Sequence, residues 1–275
     1  MITKFYKSEK FQAVFFPVLY FLLAAALVVT GCFIFKKKYY QPVIVDGTSM
    51  LPTLSGGRSF DEYKTFQDKE GNPVNVAVSY RYNYGTADLH RHSVNNIKRF
   101  DVVVTHYPKT WGTEDGIYII KRVWGFPGET ISLTYDSTEK AYTFTAEAKG
   151  KKYEIKAPVV SYTKSFETEC IFENKRYIYN EEKTFTAAKF VLKNKTFYTN
   201  VITQRTFSNH KLGKNEYFVM GDNWDKSTDS YSNIGNSHKL NKPYILGRVL
   251  YIYAYASLVN DNPTAFHEFD KRYNF

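Results

Sequence analysis

Polar and apolar positions divide the chain into two unequal parts. From Phe11 to Phe35 the run FQAVFFPVLYFLLAAALVVTGCFIF holds 25 residues and no charge. At about 1.5 Å rise per residue a helix of that length reaches roughly 37 Å, enough to cross a ~30 Å hydrocarbon core with some tilt. The apolar stretch of a cleavable secretory signal spans only about 7 to 15 residues, so the pattern predicts a retained transmembrane helix. Lys4, Lys7 and Lys10 precede the run and Lys36, Lys37 and Lys38 follow it, so flanking charge leaves its orientation tied.

After the run the period shortens to two. Apolar and polar residues alternate in PVIV (42–45), DVVVTHY (101–107), GIYIIKRVWG (116–125), ETISLTY (129–135), AYTFTAEA (141–148) and KYEIKAPVV (152–160). The pattern returns in FVLKNKTFY (190–198), EYFVMGD (216–222) and GRVLYIYAYAS (247–257). Gly, Asn, Asp or Pro bound these stretches, which predicts antiparallel strands. The fold class expected is mainly β, an antiparallel sheet domain with a β-rich insertion, on one N-terminal transmembrane helix. The expected divisions are a short terminus (1–10), the anchor (11–35), a core (39–130 and 215–258), an inserted β-rich domain (131–214) and a tail (259–275). Residues 56–98 read as a polar, loop-like excursion.

Composition adds little to this and removes several classes. Aromatics make up 18% of the chain, which suits half-buried strands. Two cysteines, Cys32 and Cys170, offer no disulfide framework and no zinc spacing. VTGC at 29–32 resembles the lipobox of bacterial lipoproteins, which would make Cys32 a lipidated terminus; the long apolar run before it and FIFKKK after it favour a span. A net charge of +10 opens the question of nucleic acid, but the lysines are scattered, so a solvated surface and an interfacial anchor are expected, with no nucleic-acid partner. His90 and His92 in LHRH would share a face if in a strand, yet no third ligand lies nearby, so they read as polar loop residues. No cofactor and no metal is expected.

Three stretches carry candidate chemistry. GTSMLPTL (47–54) places Ser49 in a turn, where it is either an ordinary turn serine or a nucleophile. No histidine stands at a spacing that would pair with it, and a nucleophilic serine needs a base. YIIKRVWGFPGE (118–129) holds Lys121 among apolar neighbours. Desolvation disfavours the ammonium, and moving its pKa from about 10.4 to 7–8 takes roughly 3–4 kcal/mol. The alternative is a strand lysine whose stem covers apolar surface while its head reaches water. Strand alternation puts Lys121 and Arg122 on opposite faces. MGDNWDKSTDSYSNIG (220–235) follows a strand and gathers Ser227, Asp229 and Ser230 within four positions.

Taken in order with the membrane segment and RFDVVVT (99–105), these stretches resemble the type I signal peptidases, membrane-anchored proteases with a Ser/Lys dyad. The resemblance implies Ser49 as nucleophile and Lys121 as general base, with the Ser49 N–H as an oxyanion donor. It implies that Ser227 orients the lysine, that Asp229 is a structural acid with Arg122 as its salt-bridge partner, and that Ile120 and Met50 line shallow substrate pockets. The implied activity is removal of signal peptides from secretory preproteins after Ala-X-Ala. The implied location is the bacterial cytoplasmic membrane, with the N-terminus inside and the catalytic domain outside. Met50 and Leu51 are expected to be exposed and to dip toward lipid.

Four positions depart from the family pattern. Gly47 stands where a hydroxyl often supplies a second oxyanion donor, and Phe100 replaces a glycine. Trp224 replaces a basic residue, and Tyr231 replaces an arginine that would partner Asp229. Two rival Ser/Lys classes fit poorly. The self-cleaving repressors need a DNA-binding domain and no span, and the SxxK acyltransferases need a lysine where Pro52 stands. An inactive membrane-tethered β module that binds preproteins remains the rival of another class.

Overall fold

The computed structural model describes residues 9–56, 63–77, 81–108, 117–172, 174–192, 195–232, 240–241, 244–259 and 262–274. The chain forms two compact units, Met1–Gln41 and Pro42–Phe275. The first is dominated by a single helix, α1 (Glu9–Tyr39), with Glu9 in its first turn and Lys36, Lys37 and Lys38 in its last, each sign complementing the helix dipole. Its most apolar 18-residue stretch has a mean hydropathy of 2.6, and none of that stretch is buried. A side-chain surface that apolar on every face is favourable in hydrocarbon and costly in water. By length and composition α1 is able to cross a membrane.

The second unit is built of strands. One sheet has eight, in the spatial order β1 (Tyr40–Ile44), β4 (Arg81–Asp88), β15 (Ile245–Val259), β5 (Val102–His106), β6 (Tyr118–Gly125), β13 (Glu216–Met220) and β14 (Leu240–Asn241), with β16 (Asn262–Asn274) also paired to β15. A second sheet has six, in the order β11 (Lys195–Asn200), β10 (Lys175–Leu192), β9 (Lys151–Phe172), β8 (Ala141–Ala148), β7 (Thr130–Asp136) and β12 (Phe207–Lys211). β2 (Tyr63–Gln67) and β3 (Pro73–Ala77) form a separate two-stranded sheet, with β3 lying against β9. All six strands of the second sheet come from the segment between β6 and β13, while β6 and β13 pair with each other. Apart from β1 with β4, every strand pair named is antiparallel in register.

Aromatic side chains pack around Trp124 between the sheets. Trp124 of β6 meets Phe144 of β8 edge-on at 5.2 Å and Phe190 of β10 at 5.1 Å, and Tyr142 of β8 meets Trp224 at 5.0 Å. These separations and near-perpendicular planes suit the ring quadrupoles, which adds about 0.5–1.5 kcal/mol per pair to plain burial. A smaller aliphatic cluster of Val45, Met50, Leu54, Val102, Val104 and Val249 lies beneath the turn that carries Ser49.

Four details differ from the sequence reading. Within 56–98 the chain forms β2, β3 and the whole of β4, which pairs with β15 in the larger sheet. The stretch 190–198 is two strands joined by a reversal, because Lys195–Asn200 folds back onto Ala187–Leu192. The expected C-terminal tail carries β16. His90 and His92 sit at a short helix, α2 (Arg91–Asn95), where His90 Nδ1 accepts the His92 N–H at 3.1 Å and caps the first turn. The polarity of these segments reflects one solvated face of a strand rather than the absence of a strand.

Phe100 sits at a backbone φ of 66°, in the left-handed region that glycine enters freely and phenylalanine does not. Its ring is compensation: 5% exposed, it packs on Trp124 at 5.0 Å and Phe197 at 5.2 Å. Relief of strain is worth about 1–2 kcal/mol, and loss of a buried phenyl ring costs about 3–5. Phe100→Gly is therefore expected to lower unfolding free energy by about 2–3 kcal/mol in a denaturant titration. A more stable variant would show that strain outweighs the ring.

Candidate active site

The turn that carries Ser49 is fixed from both sides. Val45 N–H donates to Asn83 O at 2.9 Å, ending β1 against β4. Gly47 then reverses the chain at φ 81° while its N–H donates to Asp46 Oδ1 at 2.8 Å. Leu51 N–H closes on Thr48 O at 3.1 Å and Leu54 N–H on Met50 O at 2.9 Å, a tight coil containing the cis Leu51–Pro52 bond. Met50 (1% exposed) and Leu54 (2%) anchor it in the aliphatic cluster. From the other side Asn223 donates its N–H to Ser49 O at 3.0 Å and its Nδ2 to Thr48 O at 3.0 Å. Gly221 makes this approach possible, since a Cβ there would lie 2.3 Å from both Ser49 O and Ser227 Oγ.

Lys121 comes up from β6. Its register opposite Val103 of β5 fixes the direction of its side chain, and its Nζ donates to Ser49 Oγ at 2.9 Å and to Ile120 O at 3.0 Å. At 3% exposure the amine is almost dry. Burial lowers its pKa from 10.5 to about 8; Asp229 and Asp222 pull it up, and Arg205 pushes it down further. Desolvation is the largest of these influences, so at pH 8 about half of the amines are neutral and able to accept a proton.

The loop after β13 closes the site, and here the sequence reading needs correction. Asp229 does not pair with Arg122. Its carboxylate takes both bonds from Arg205 Nη1, at 2.8 and 2.7 Å, and also accepts Gly221 N–H at 2.9 Å and Tyr231 N–H at 3.1 Å. Arg205 Nη2 reaches Trp224 O at 2.5 Å and Ser227 O at 3.0 Å, so one guanidinium ties together the loop that bears Ser227 and Asp229. Arg122 points to the other face of β6, as alternation requires. It pairs with Asp222 through Nε at 2.8 Å and Nη2 at 2.6 Å.

Arg205 lies between β11 and β12, distant in sequence and surrounded by unremarkable residues, so no local signal marks it. The one clue is Tyr231 itself: its ring stacks on the Arg205 guanidinium at 4.8 Å, where an arginine would repel it. Trp224 is likewise accounted for, buried at 2% exposure in the aromatic core. Ser227 Oγ lies beside Gly221, with no hydrogen-bond partner among the described residues, so the expected bond from Ser227 to Lys121 is not formed in this structure. Ile120, half-buried, and Met50 belong to the same aliphatic cluster. Met50 is therefore not exposed toward lipid, because it anchors the turn; Ile44, Ile117 and Tyr118 are exposed instead, at 53%, 40% and 63%. Among the described residues no group of three or more His, Cys, Asp or Glu is placed to hold a metal ion.

The sequence profile of the family described as signal peptidase, peptidase S26, matches residues 16–254. The chain belongs to that family. Similar proteins include Signal peptidase I P of Bacillus subtilis subsp. natto, 27% identical over 207 residues, which cover 75% of each chain. Signal peptidase I of Buchnera aphidicola subsp. Baizongia pistaciae is 27% identical over 255 residues, covering 82% of this chain and 72% of its own. Signal peptidase I U of Bacillus subtilis strain 168 is 29% identical over 165 residues, 59% of this chain and 69% of its own. The matched span of the S26 profile contains the whole six-stranded sheet, the larger sheet apart from β16 and the end of β15, and all three stretches that converge on Ser49.

Two measurements check this geometry. Between pH 8 and 10.5 the unfolded chain holds the Lys121 proton that the folded chain has lost, so folding stability rises with pH across that window and is flat in this respect below it. Referenced to Lys121→Met, the unfolding free energy of the parent is expected to gain about 3 kcal/mol over the window; equal pH profiles would contradict a desolvated lysine. Arg205→Ala leaves the buried Asp229 carboxylate without its cation and is expected to cost about 3–5 kcal/mol in the same assay. Arg205→Lys should recover only part, because one ammonium cannot reproduce the planar fork.

Proposed function

We propose that this chain is a membrane-anchored serine endopeptidase that removes N-terminal signal peptides from exported preproteins. The observation that carries the reading is the 2.9 Å contact between Lys121 Nζ and Ser49 Oγ in a site dry enough to hold the amine near neutrality. Neutral Lys121 takes the Ser49 proton as Oγ attacks the scissile carbonyl carbon. The backbone N–H of Ser49 faces the oxyanion. Lys121 then passes that proton to the leaving amine as the peptide bond breaks, leaving an ester on Ser49. Lys121 then takes a proton from water as its oxygen attacks the ester carbon. The bond from that carbon to Ser49 Oγ breaks, Lys121 returns the proton to Oγ, and the signal peptide leaves with a free carboxyl terminus.

Met50 and Ile120 pack into the aliphatic cluster beside the pair, and cleavage after the small residues of Ala-X-Ala is carried by the resemblance to the signal peptidases. Arg205, Asp229 and Asn223 hold the loop, with Ser227 and Gly221 packed against the turn. The helix α1 supports a membrane location, and the reading places the N-terminus inside and the catalytic unit outside the bacterial cytoplasmic membrane. The relatives named signal peptidase I support the same assignment.

The test is cleavage of a preprotein with an Ala-X-Ala site by the detergent-solubilised chain. The parent is expected to cut at that site, and Ser49→Ala and Lys121→Ala to lose at least about 10³-fold in kcat/KM. The parent's kcat/KM should rise with pH and level off above about 8, since only neutral Lys121 accepts the proton. A folded parent that cuts nothing would instead leave an inactive preprotein-binding module.

A further inference from the structure

A cavity lies between the two sheets, on the face of β6 to which Arg122 points, with a volume of about 920 Å³. Neither Ser49 nor Lys121 lines it. The volume falls toward the upper end of small-molecule sites, roughly 300–1,000 Å³. Its apolar wall includes Leu54, Leu192, Phe197, Ile252 and Phe269. Its charged lining is unbalanced: Lys98, Arg99, Arg122, Lys164, Lys195 and Arg248 face one carboxylate, Asp101.

Some of those cations are already paired. Arg122 is held by Asp222, Arg99 by Glu129 at 2.6 Å, and Arg248 reaches Asp101 at 3.4 Å. Lys164 is different. It rises from β9, half-buried beside the Phe166 ring, and its Nζ donates to Pro52 O with no carboxylate among the described residues at ion-pair distance. Burial lowers its pKa, the sign of an ammonium lacking a counter-charge. Arg248 Nε is buried in the same lining with no hydrogen-bond partner among the described residues. Buried cationic groups of this kind are costly until an anion arrives.

Charge alone would fit inorganic phosphate, and the apolar wall alone would fit any lipid tail. Both together fit a molecule with an anionic head and an acyl chain. Such molecules are concentrated where α1 would lie. We propose that this cavity binds an anionic amphiphile, its phosphate or carboxylate head paired with Lys164 and its acyl chain against Leu54, Phe197 and Ile252. Binding at this place involves neither member of the Ser49–Lys121 pair, so it stands or falls separately from peptidase activity. Because Lys164 holds Pro52 of the nucleophile turn, an occupant there also touches the support of Ser49.

The experiment uses the full chain in a neutral maltoside detergent, with isothermal titration calorimetry of four probes. These are dihexanoylphosphatidylglycerol, dihexanoylphosphatidylcholine, octanoate and inorganic phosphate, all below micelle-forming concentration. The parent and Ser49→Ala are expected to bind one molecule of phosphatidylglycerol or octanoate at least about tenfold more tightly than phosphatidylcholine or phosphate. The tighter of the two anionic probes assigns the source, phospholipid or free fatty acid. Lys164→Gln should weaken that probe about tenfold. Ser165→Trp, at an exposed position of β9 that lines the cavity, should block it. Equal affinity for the zwitterionic and anionic lipids, phosphate binding as tightly as the amphiphiles, no saturable binding, or indifference to both variants would overturn the proposal.

Discussion

The arrangement around Ser49 depends on keeping one lysine out of water. An exposed lysine is an ammonium at physiological pH and has no lone pair with which to accept a serine proton. Removing it from solvent is the only influence here large enough to change that, because the two nearest carboxylates act in the opposite direction. The ladder between β5 and β6 supplies the burial, and the turn that follows β1 supplies the hydroxyl. Each is rigid because it is packed and hydrogen-bonded from two directions.

The carboxylates that would recharge the lysine are themselves held by arginines. Asp222 is occupied by Arg122 and Asp229 by Arg205, both buried and both making paired, short contacts. Each ion pair is close to neutral from a distance, so the lysine feels mainly the missing solvent. The pairs also have a structural purpose, since Arg205 gathers the carbonyls of Trp224 and Ser227 while Asp229 accepts the N–H groups of Gly221 and Tyr231. A polar network of this kind rigidifies a loop only when every member is satisfied.

Much of this was legible in the sequence, and the boundary has physical causes. The apolar run Phe11–Phe35 and the alternating strands at 101–107 and 116–125 announced α1, β5 and β6, because helix length and period-two patterning are local properties. The stretches around Ser49, Lys121 and Asp229 pointed to one site, which the ladder and the Asn223 contacts assemble. What sequence did not reveal was non-local. Arg205 reaches Asp229 across 24 positions with nothing in its neighbourhood to mark it. Strand β4 was hidden because its polar face reads like a loop, and Met50 looked exposed because a turn sequence says little about what lies beneath it. Phe100 and Trp224 were read as departures from a pattern, when each is a ring that the aromatic core uses.

The depressed basicity of Lys121 is open to direct titration. Lysine side chains labelled with ¹³C at Cε report protonation in an NMR pH titration, with Lys121→Met identifying the resonance by its loss. One lysine signal is expected to titrate with a midpoint near pH 8, well below the others. A Lys121 signal that titrates with the surface lysines near pH 10.5 would contradict it.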